Sequence, residues 1–259
     1  MASVEFSEIG HTYAGVGRST QALDGVELSV AHGEPVSIIG PSGCGKSTLL
    51  LLAAGMLTAS TGSIHVDGQA ANGPRKTTAL ILQDFGLLPW KTVLANAALG
   101  LQVRGVSARE RRELSMRSLS LVGLAEFADA YPGELSGGMR QRLGLARAIA
   151  LDADLLLMDE PLSSLDALTR EDLQDLLLEL WRTRGHASLL VTHSIAEAVF
   201  LGRRIVVVSP RPGRVTAIVD NPGMGMPDYR MTETFFRKVT EVRELLVAEG
   251  ALHQAGEVL

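Results

Sequence analysis

The stretch Gly40-Pro41-Ser42-Gly43-Cys44-Gly45-Lys46-Ser47-Thr48 decides the fold. It follows the apolar run Val36-Ser37-Ile38-Ile39 and leads into Leu49-Leu50-Leu51-Leu52-Ala53-Ala54. A buried strand, a glycine-rich turn and a helix, in that order, form the setting in which G-x-x-x-x-G-K-[ST] reads as a phosphate-binding loop. The chemistry asks for these residue types. Several backbone N–H groups must converge on a polyphosphate, and Gly40, Gly43 and Gly45 carry no Cβ to hold it off. The helix N-terminus contributes partial positive charge, Lys46 a full one, and Ser47 a hydroxyl suited to Mg²⁺. The plainer reading, a glycine turn beside an idle lysine, leaves the flanking strand and helix unexplained.

Composition narrows the partners. The 259 residues are 46% hydrophobic and carry a net charge of -5. That length accommodates one large domain, or a core with a small subdomain. The acidic balance argues against nucleic acid, which calls for a strongly basic face. The arginines of residues 104–117 are interleaved with Glu110 and Glu113, the pattern of a solvated helical face. Cys44 is the single cysteine, so no intrachain disulfide is possible, which fits a reducing compartment. Its place at a helix N-terminus allows a reactive thiol, and a small residue filling the loop is the simpler alternative. Met1-Ala2-Ser3-Val4-Glu5-Phe6 has neither the basic nor the apolar region of a signal peptide. No run of about eighteen apolar residues is present, so work at a membrane would require a membrane partner.

Ahead of the loop, residues 4–35 alternate apolar and polar, with turn signals at Gly15, Gly17 and Asp24-Gly25, and read as antiparallel strands. Tyr13 lies there; it suits stacking on a flat nucleobase, or equally a half-exposed strand position. Gly62-Ser63-Ile64-His65-Val66-Asp67-Gly68 supplies another alternating strand. Ala79-Leu80-Ile81-Leu82 is a second buried strand, ending at Gln83-Asp84-Phe85-Gly86. The cluster Leu87-Leu88-Pro89-Trp90-Lys91-Thr92-Val93 then reads as a partner contact or as a satellite cluster under a loop. Helical periodicity runs from Val93 to Asp129 through Leu94, Ala97, Ala98, Leu101, Leu114, Leu119, Leu121 and Val122. Residues 84–131 thus form a helical insertion between two strands of the main sheet.

Leu135-Ser136-Gly137-Gly138-Met139-Arg140-Gln141 opens a helix that continues through Ala150. Ser136 is a natural N-cap, and the two glycines expose N–H groups at the positive helix end. This is a second anion site. One phosphate chain in one loop does not need it, which hints at a nucleotide shared with another copy. Asp154-Leu155-Leu156-Leu157-Met158-Asp159-Glu160 is a third buried strand, its four apolar residues in a row implying burial on both faces, as in a parallel sheet. Ligands of such sheets lie beyond the C-terminal strand ends, where Asp159 suits Mg²⁺ bound through water and Glu160 a base for an attacking water. A helix follows from about Leu168 to Arg184. Ala187-Ser188-Leu189-Leu190-Val191-Thr192-His193 is a fourth such strand, and its His193, at the same sheet end, is a candidate contact to a terminal phosphate. Closing strands flank Arg211-Pro212-Gly213, and residues 231–247 read as an amphipathic helix.

With these elements in order, residues 4–220 closely resemble the ATP-binding subunit of ABC transporters. Tyr13 matches the family's adenine platform and residues 40–48 its phosphate loop. Gln83 matches the Q-loop and Leu135 to Gln141 the signature, with Met139 where glutamine is commonest. Asp159 and Glu160 match the acidic strand end, Asp166 the D-loop and His193 the switch histidine. The resemblance implies an α/β P-loop NTPase core with a mostly parallel sheet, an N-terminal antiparallel β subdomain and an inserted α-helical subdomain. The ATPase domain would span residues 1–220, with the insertion at about 84–150, and a C-terminal helical tail would span 221–259. It further implies ATP held by Tyr13, by Gly40, Pro41, Ser42, Gly43, Cys44, Gly45, Lys46, Ser47 and Thr48, and by Ser136, Gly137, Gly138 and Asp166, with two copies closing head to tail around two ATP. Mg²⁺ would be held by Ser47, Gln83 and Asp159. Glu160, His193, Lys46 and Gln83 would carry catalysis.

The partners implied are a second copy in the ATP-bound state, integral membrane permease subunits docking near residues 85–93, and an extracytoplasmic solute-binding protein. The place implied is the cytoplasmic face of the inner membrane, peripherally bound. Leu88-Pro89-Trp90 and Arg211-Pro212-Gly213-Arg214 resemble the importer branch for nitrate, sulfonates and taurine. Two rivals stand beside this: an exporter ATPase, more often fused to its membrane segments, and a soluble ABC ATPase of DNA repair or translation, which would bring long coiled coils or two ATPase cores.

Overall fold

The computed structural model describes residues 2–15, 18–163 and 165–250. The turn signal at Gly17 and the end of the tail, residues 251–259, lie outside the described residues. Strands β1 (Val4–Gly15) and β2 (Arg18–Val30) form the expected antiparallel hairpin. β4 (Thr61–Val66) and the two-residue β5 (Gln69–Ala70) complete a sheet ordered β2-β1-β4-β5. The second sheet contains β3 (Pro35–Ile39), β6 (Thr78–Ile81), β7 (Leu155–Asp159), β8 (Ala187–Thr192), β9 (Arg204–Val208) and β10 (Val215–Asp220). Its order is β10-β9-β3-β8-β7-β6, parallel except for the antiparallel edge strand β10. Every residue of β3, β7 and β8 is buried, the outcome expected of strands covered on both faces.

Helix α1 (Lys46–Ala53) leaves β3 through the glycine loop. Between β6 and β7 lie α2 (Val93–Ala97), α3 (Leu99–Val103), α4 (Ala108–Leu121) and α5 (Gly137–Ala150). The continuous periodicity of residues 93–129 is therefore broken into short helices, and Gly105, with φ of 80°, closes α3 in a backbone conformation that side chains disfavour. Of the two apolar positions expected at the end of α4, Val122 is buried but Leu121 is 45% exposed, and Leu124 fills the core beside Val122. Among the described residues, the hydroxyls of Thr92, Ser107, Ser136, Ser194 and Thr232 and the Asp166 carboxylate cap α-helices as their residue types demand. Thr92, Ser107 and Ser136 accept from the N–H three residues on, and Asp166 does so for α6 (Ala167–Arg184). α7 (Ile195–Leu201) follows β8, and α8 (Glu233–Ala248) buries Phe235, Val242 and Leu246 in the same apolar cluster as α7 and β9. At roughly 1.5–3 kcal/mol per fully buried apolar side chain, these three anchor α8 firmly.

α5 is the axis of the inserted helices. A Cβ on Gly144 would lie 3.2 Å from Phe85 Cβ, so its lack of a side chain sets how closely the segment after β6 approaches. Arg147, one turn on, donates to the Gly86 carbonyl at 2.8 Å and to the Phe85 carbonyl. Burial pushes the Arg147 guanidinium below its usual range, opposed by the nearby Asp84 carboxylate.

Candidate functional site

The parallel strands β3, β7 and β8 all end at one edge, so their loops converge by topology alone. Gly45 caps α1 with φ of 100°, and a Cβ there would stand 2.6 Å from Leu23 Cδ2 and 2.8 Å from the Ala22 carbonyl oxygen. Only glycine satisfies both the conformation and the space. Lys46, buried next to it, donates from Nζ to the Gly40 and Pro41 carbonyls, at 2.8 Å each. Cys44 is buried as well, and desolvation raises its thiol pKa despite Lys46 nearby, which favours the small loop-filling residue over the reactive thiol.

A cavity of about 420 Å³ opens over this loop. Ser42, Gly43, Gly45, Lys46, Ser47 and Thr48 line it, together with Tyr13, Gln83 and Glu160 from three other elements. Tyr13 is a rim residue of β1, 41% exposed; its hydroxyl shares a 3.1 Å hydrogen bond with Thr48 Oγ1, and its ring meets His11 edge-on at 4.6 Å. The half-exposed strand position left open by sequence is therefore the one observed, on the rim of the cavity.

Asp159 ends β7 against the loop. Burial raises its carboxyl pKa, while the Ser47 hydroxyl bonded to it and the Lys46 ammonium lower it. A hydroxyl and a desolvated carboxylate joined in this way, with the Gln83 amide lining the same cavity, are the oxygen donors a Mg²⁺ ion accepts alongside phosphate. The donor set fits. Glu160 follows in the left-handed region, φ 47°, a strained conformation that points its carboxylate to His193, whose Nδ1 is 3.1 Å from Oε2. The segment after Glu160 is braced from the two neighbouring helices. Gln141 of α5 donates to the Pro161 carbonyl, and Arg170 of α6 donates to the Leu162 carbonyl at 3.3 Å and to the Leu165 carbonyl at 2.6 Å.

Not all of the expected residues meet. Gly40, Pro41 and Cys44 lie behind the lining, and Asp159 and His193 adjoin it through Ser47 and Glu160, whereas Ser136, Gly137, Gly138 and Asp166 are absent from it. Ser136 and Gly137 stand exposed at the start of α5, where Ser136 Oγ accepts the Met139 N–H at 3.2 Å. Asp166 Oδ1 accepts the Thr169 N–H at 3.0 Å, a bond that holds its carboxyl below the usual range. Conversely, Arg211, Thr20 and Ala22 line the cavity without having been expected. Their signal is tertiary: β9 runs beside β3, so the turn after β9 lands on the phosphate loop.

The family described as "ABC transporter" matches residues 23–163. The taurine import ATP-binding protein TauB of Rhizobium johnstonii is 51% identical over 79% of this chain and 78% of its own length. TauB of Chromobacterium violaceum is 46% identical over 86% of this chain and 84% of its own. Among solved structures, the ATP-binding cassette MJ0796, a dimer described as a post-hydrolysis state bound to ADP and Pi, superposes with a TM-score of 0.79 at 32% identity, covering 85% of this chain and 100% of that one.

Proposed function

This chain belongs to the ABC transporter family as one of its ATPase subunits, and we propose that it drives import of taurine or a related small solute, such as another sulfonate or nitrate, through a separate membrane-spanning partner. The observation that carries the reading is the division of the site: the signature turn at the start of α5 does not line the cavity above Lys46. A second copy, closing head to tail, brings its Ser136, Gly137, Gly138 and Asp166 to the nucleotide held by the first. The dimer of the MJ0796 cassette supports this arrangement.

In this reading the adenine sits against Tyr13, and the phosphates replace the Gly40 and Pro41 carbonyls as partners of Lys46. Ser47, Asp159 and Gln83 would hold Mg²⁺, which supplies charge neutralisation at the phosphate oxygens. Glu160 polarises the attacking water, and ATP and water give ADP and phosphate. His193, held by Glu160 through one ring nitrogen, presents the other to the γ-phosphate. The contribution is positioning and charge stabilisation, without a covalent intermediate. We read residues 1–220 as the ATPase domain, with the helical insertion at about 84–150, followed by a tail from residue 221 that carries α8.

No helix among the described residues is long and apolar enough to cross a membrane. Work at the inner membrane therefore goes through a permease contact, for which Trp90, 71% exposed, is the leading apolar candidate. An extracytoplasmic solute-binding protein completes the system. Affinity isolation of the tagged chain from detergent-solubilised membranes tests this. Recovery of an integral membrane subunit is the expected result, and recovery without one removes the importer reading and favours a soluble ATPase.

A further inference from the structure

The turn Arg211-Pro212-Gly213-Arg214 is hydrogen-bonded to β2 and packs against the phosphate loop. The Gly213 N–H donates to the Ala22 carbonyl at 2.9 Å, and the Gly213 carbonyl accepts the Asp24 N–H at 3.1 Å. A Cβ at Gly213 would stand 2.0 Å from the Cys44 carbonyl oxygen, so the backbone of the turn touches the loop directly. Ser209 Oγ accepts the Arg214 N–H at 3.1 Å, and the Arg214 guanidinium bonds Asp24. These contacts hold the turn in place without using Arg211. Its exposed side chain lines the cavity, opposite in sign to Glu160. The cavity lining holds two cations, Lys46 and Arg211. Lys46 is bonded to its own loop, whereas Arg211 has no hydrogen bond or ion pair among the described residues.

We propose that Arg211 is a nucleotide-binding residue whose guanidinium contacts the phosphate chain of the ATP held by residues 40–48 of the same copy. The inference rests on the ATPase reading above. A planar guanidinium matches phosphate oxygens in paired hydrogen bonds, which an ammonium such as Lys46 does not provide. Because the turn is anchored on the Cys44 peptide and on β2, the cation moves with the phosphate loop and needs no separate closure to reach its ligand.

The test is equilibrium ATP binding by the full chain, for the parent, Arg211→Gln and Arg211→Lys, at several salt concentrations, with melting temperatures recorded without nucleotide. Arg211→Gln is expected to weaken ATP binding roughly tenfold and to flatten its salt dependence. Arg211→Lys recovers part of the loss, and melting is unchanged because the side chain is exposed. Parent-like ATP affinity in Arg211→Gln overturns the assignment. Weakened binding with an unaltered salt slope also overturns it, by placing the guanidinium away from the phosphates. Unaltered binding with impaired ATP-dependent dimerisation would move the contact to the second copy and equally overturn it. A parent chain that binds no ATP would instead bring down the ATPase reading itself.

Discussion

His193 is tied to Glu160: Nδ1 of the imidazole stands 3.1 Å from Oε2 of the carboxylate, across the ends of the adjacent strands β8 and β7. The pair sets Nδ1 beside the carboxylate, which leaves Nε2 as the ring nitrogen for a phosphate oxygen. The ring is 61% exposed, the carboxylate 20%. Structure and chemistry are therefore separable at this pair.

Replacing Glu160 by Gln is expected to keep ATP binding, to trap an ATP-dependent dimer, and to lower turnover by about a hundredfold or more. Size-exclusion chromatography with ATP and a phosphate-release assay read both effects. A turning-over Glu160→Gln chain removes Glu160 from the base role.

His193→Ala should lower turnover while leaving chemical stability within about 0.5 kcal/mol of the parent, because the ring is exposed. Denaturant unfolding alongside the phosphate-release assay checks this. A large loss of stability would make the ring a structural element.

Gly45→Ala is expected to abolish measurable ATP binding and to cost about 1–3 kcal/mol of stability, since the φ of 100° and the Leu23 and Ala22 contacts leave no place for a methyl group. Denaturation curves and a nucleotide-binding titration measure the two losses.

Glu197 supplies a pH signature. It is buried, bonded to the Thr192 hydroxyl, with Oε1 unpartnered, and burial raises its pKa above the ordinary 4.5, while Thr192, Arg170 and His193 pull it down. The folded chain therefore holds this proton over a window in which the unfolded chain has released it. Stability contributed by the neutral form is full below the ordinary value and falls as pH rises through the window to the raised value. Glu197→Gln should remove that fall, leaving a flatter stability profile between acid and neutral pH. A profile identical to the parent's would show that Glu197 titrates normally.

Trp90→Ala should leave basal hydrolysis and melting unchanged, because the ring covers little of the core, and weaken the stimulation of hydrolysis by the membrane partner. A collapse of basal hydrolysis would return Trp90 to the core.

The phosphate loop was readable because its information is local: glycines, Lys46 and Ser47 sit in one turn, and the strand and helix beside it announce themselves by periodicity. Asp159, Glu160 and His193 were readable for a different reason, since runs of buried apolar residues mark parallel strands and ligands collect at their ends. Arg211 was not, because its place depends on β9 lying beside β3, an ordering that no local pattern encodes. Nor was the Glu160–His193 bond, which needs the side-chain geometry of two strand ends. Leu121 misled because a helix's last turn can carry an apolar residue that a neighbouring loop residue, here Leu124, replaces in the core.

The contact of Gly144 with Phe85 and the grip of Arg147 on the Phe85 and Gly86 carbonyls limit how this subunit can be re-engineered. A designer wishing to pair it with a foreign permease would transplant residues 85–93, the segment proposed to dock, whose Trp90 is exposed. That graft would bring a new residue against Gly144 and ask Arg147 to find the same two carbonyls, so α5 must travel with it. But α5 begins with the turn that, on the function proposed here, would face the second copy's nucleotide. The smallest exchangeable part is consequently the whole helical insertion, and compatibility with a permease and compatibility with a dimer partner have to be inherited together.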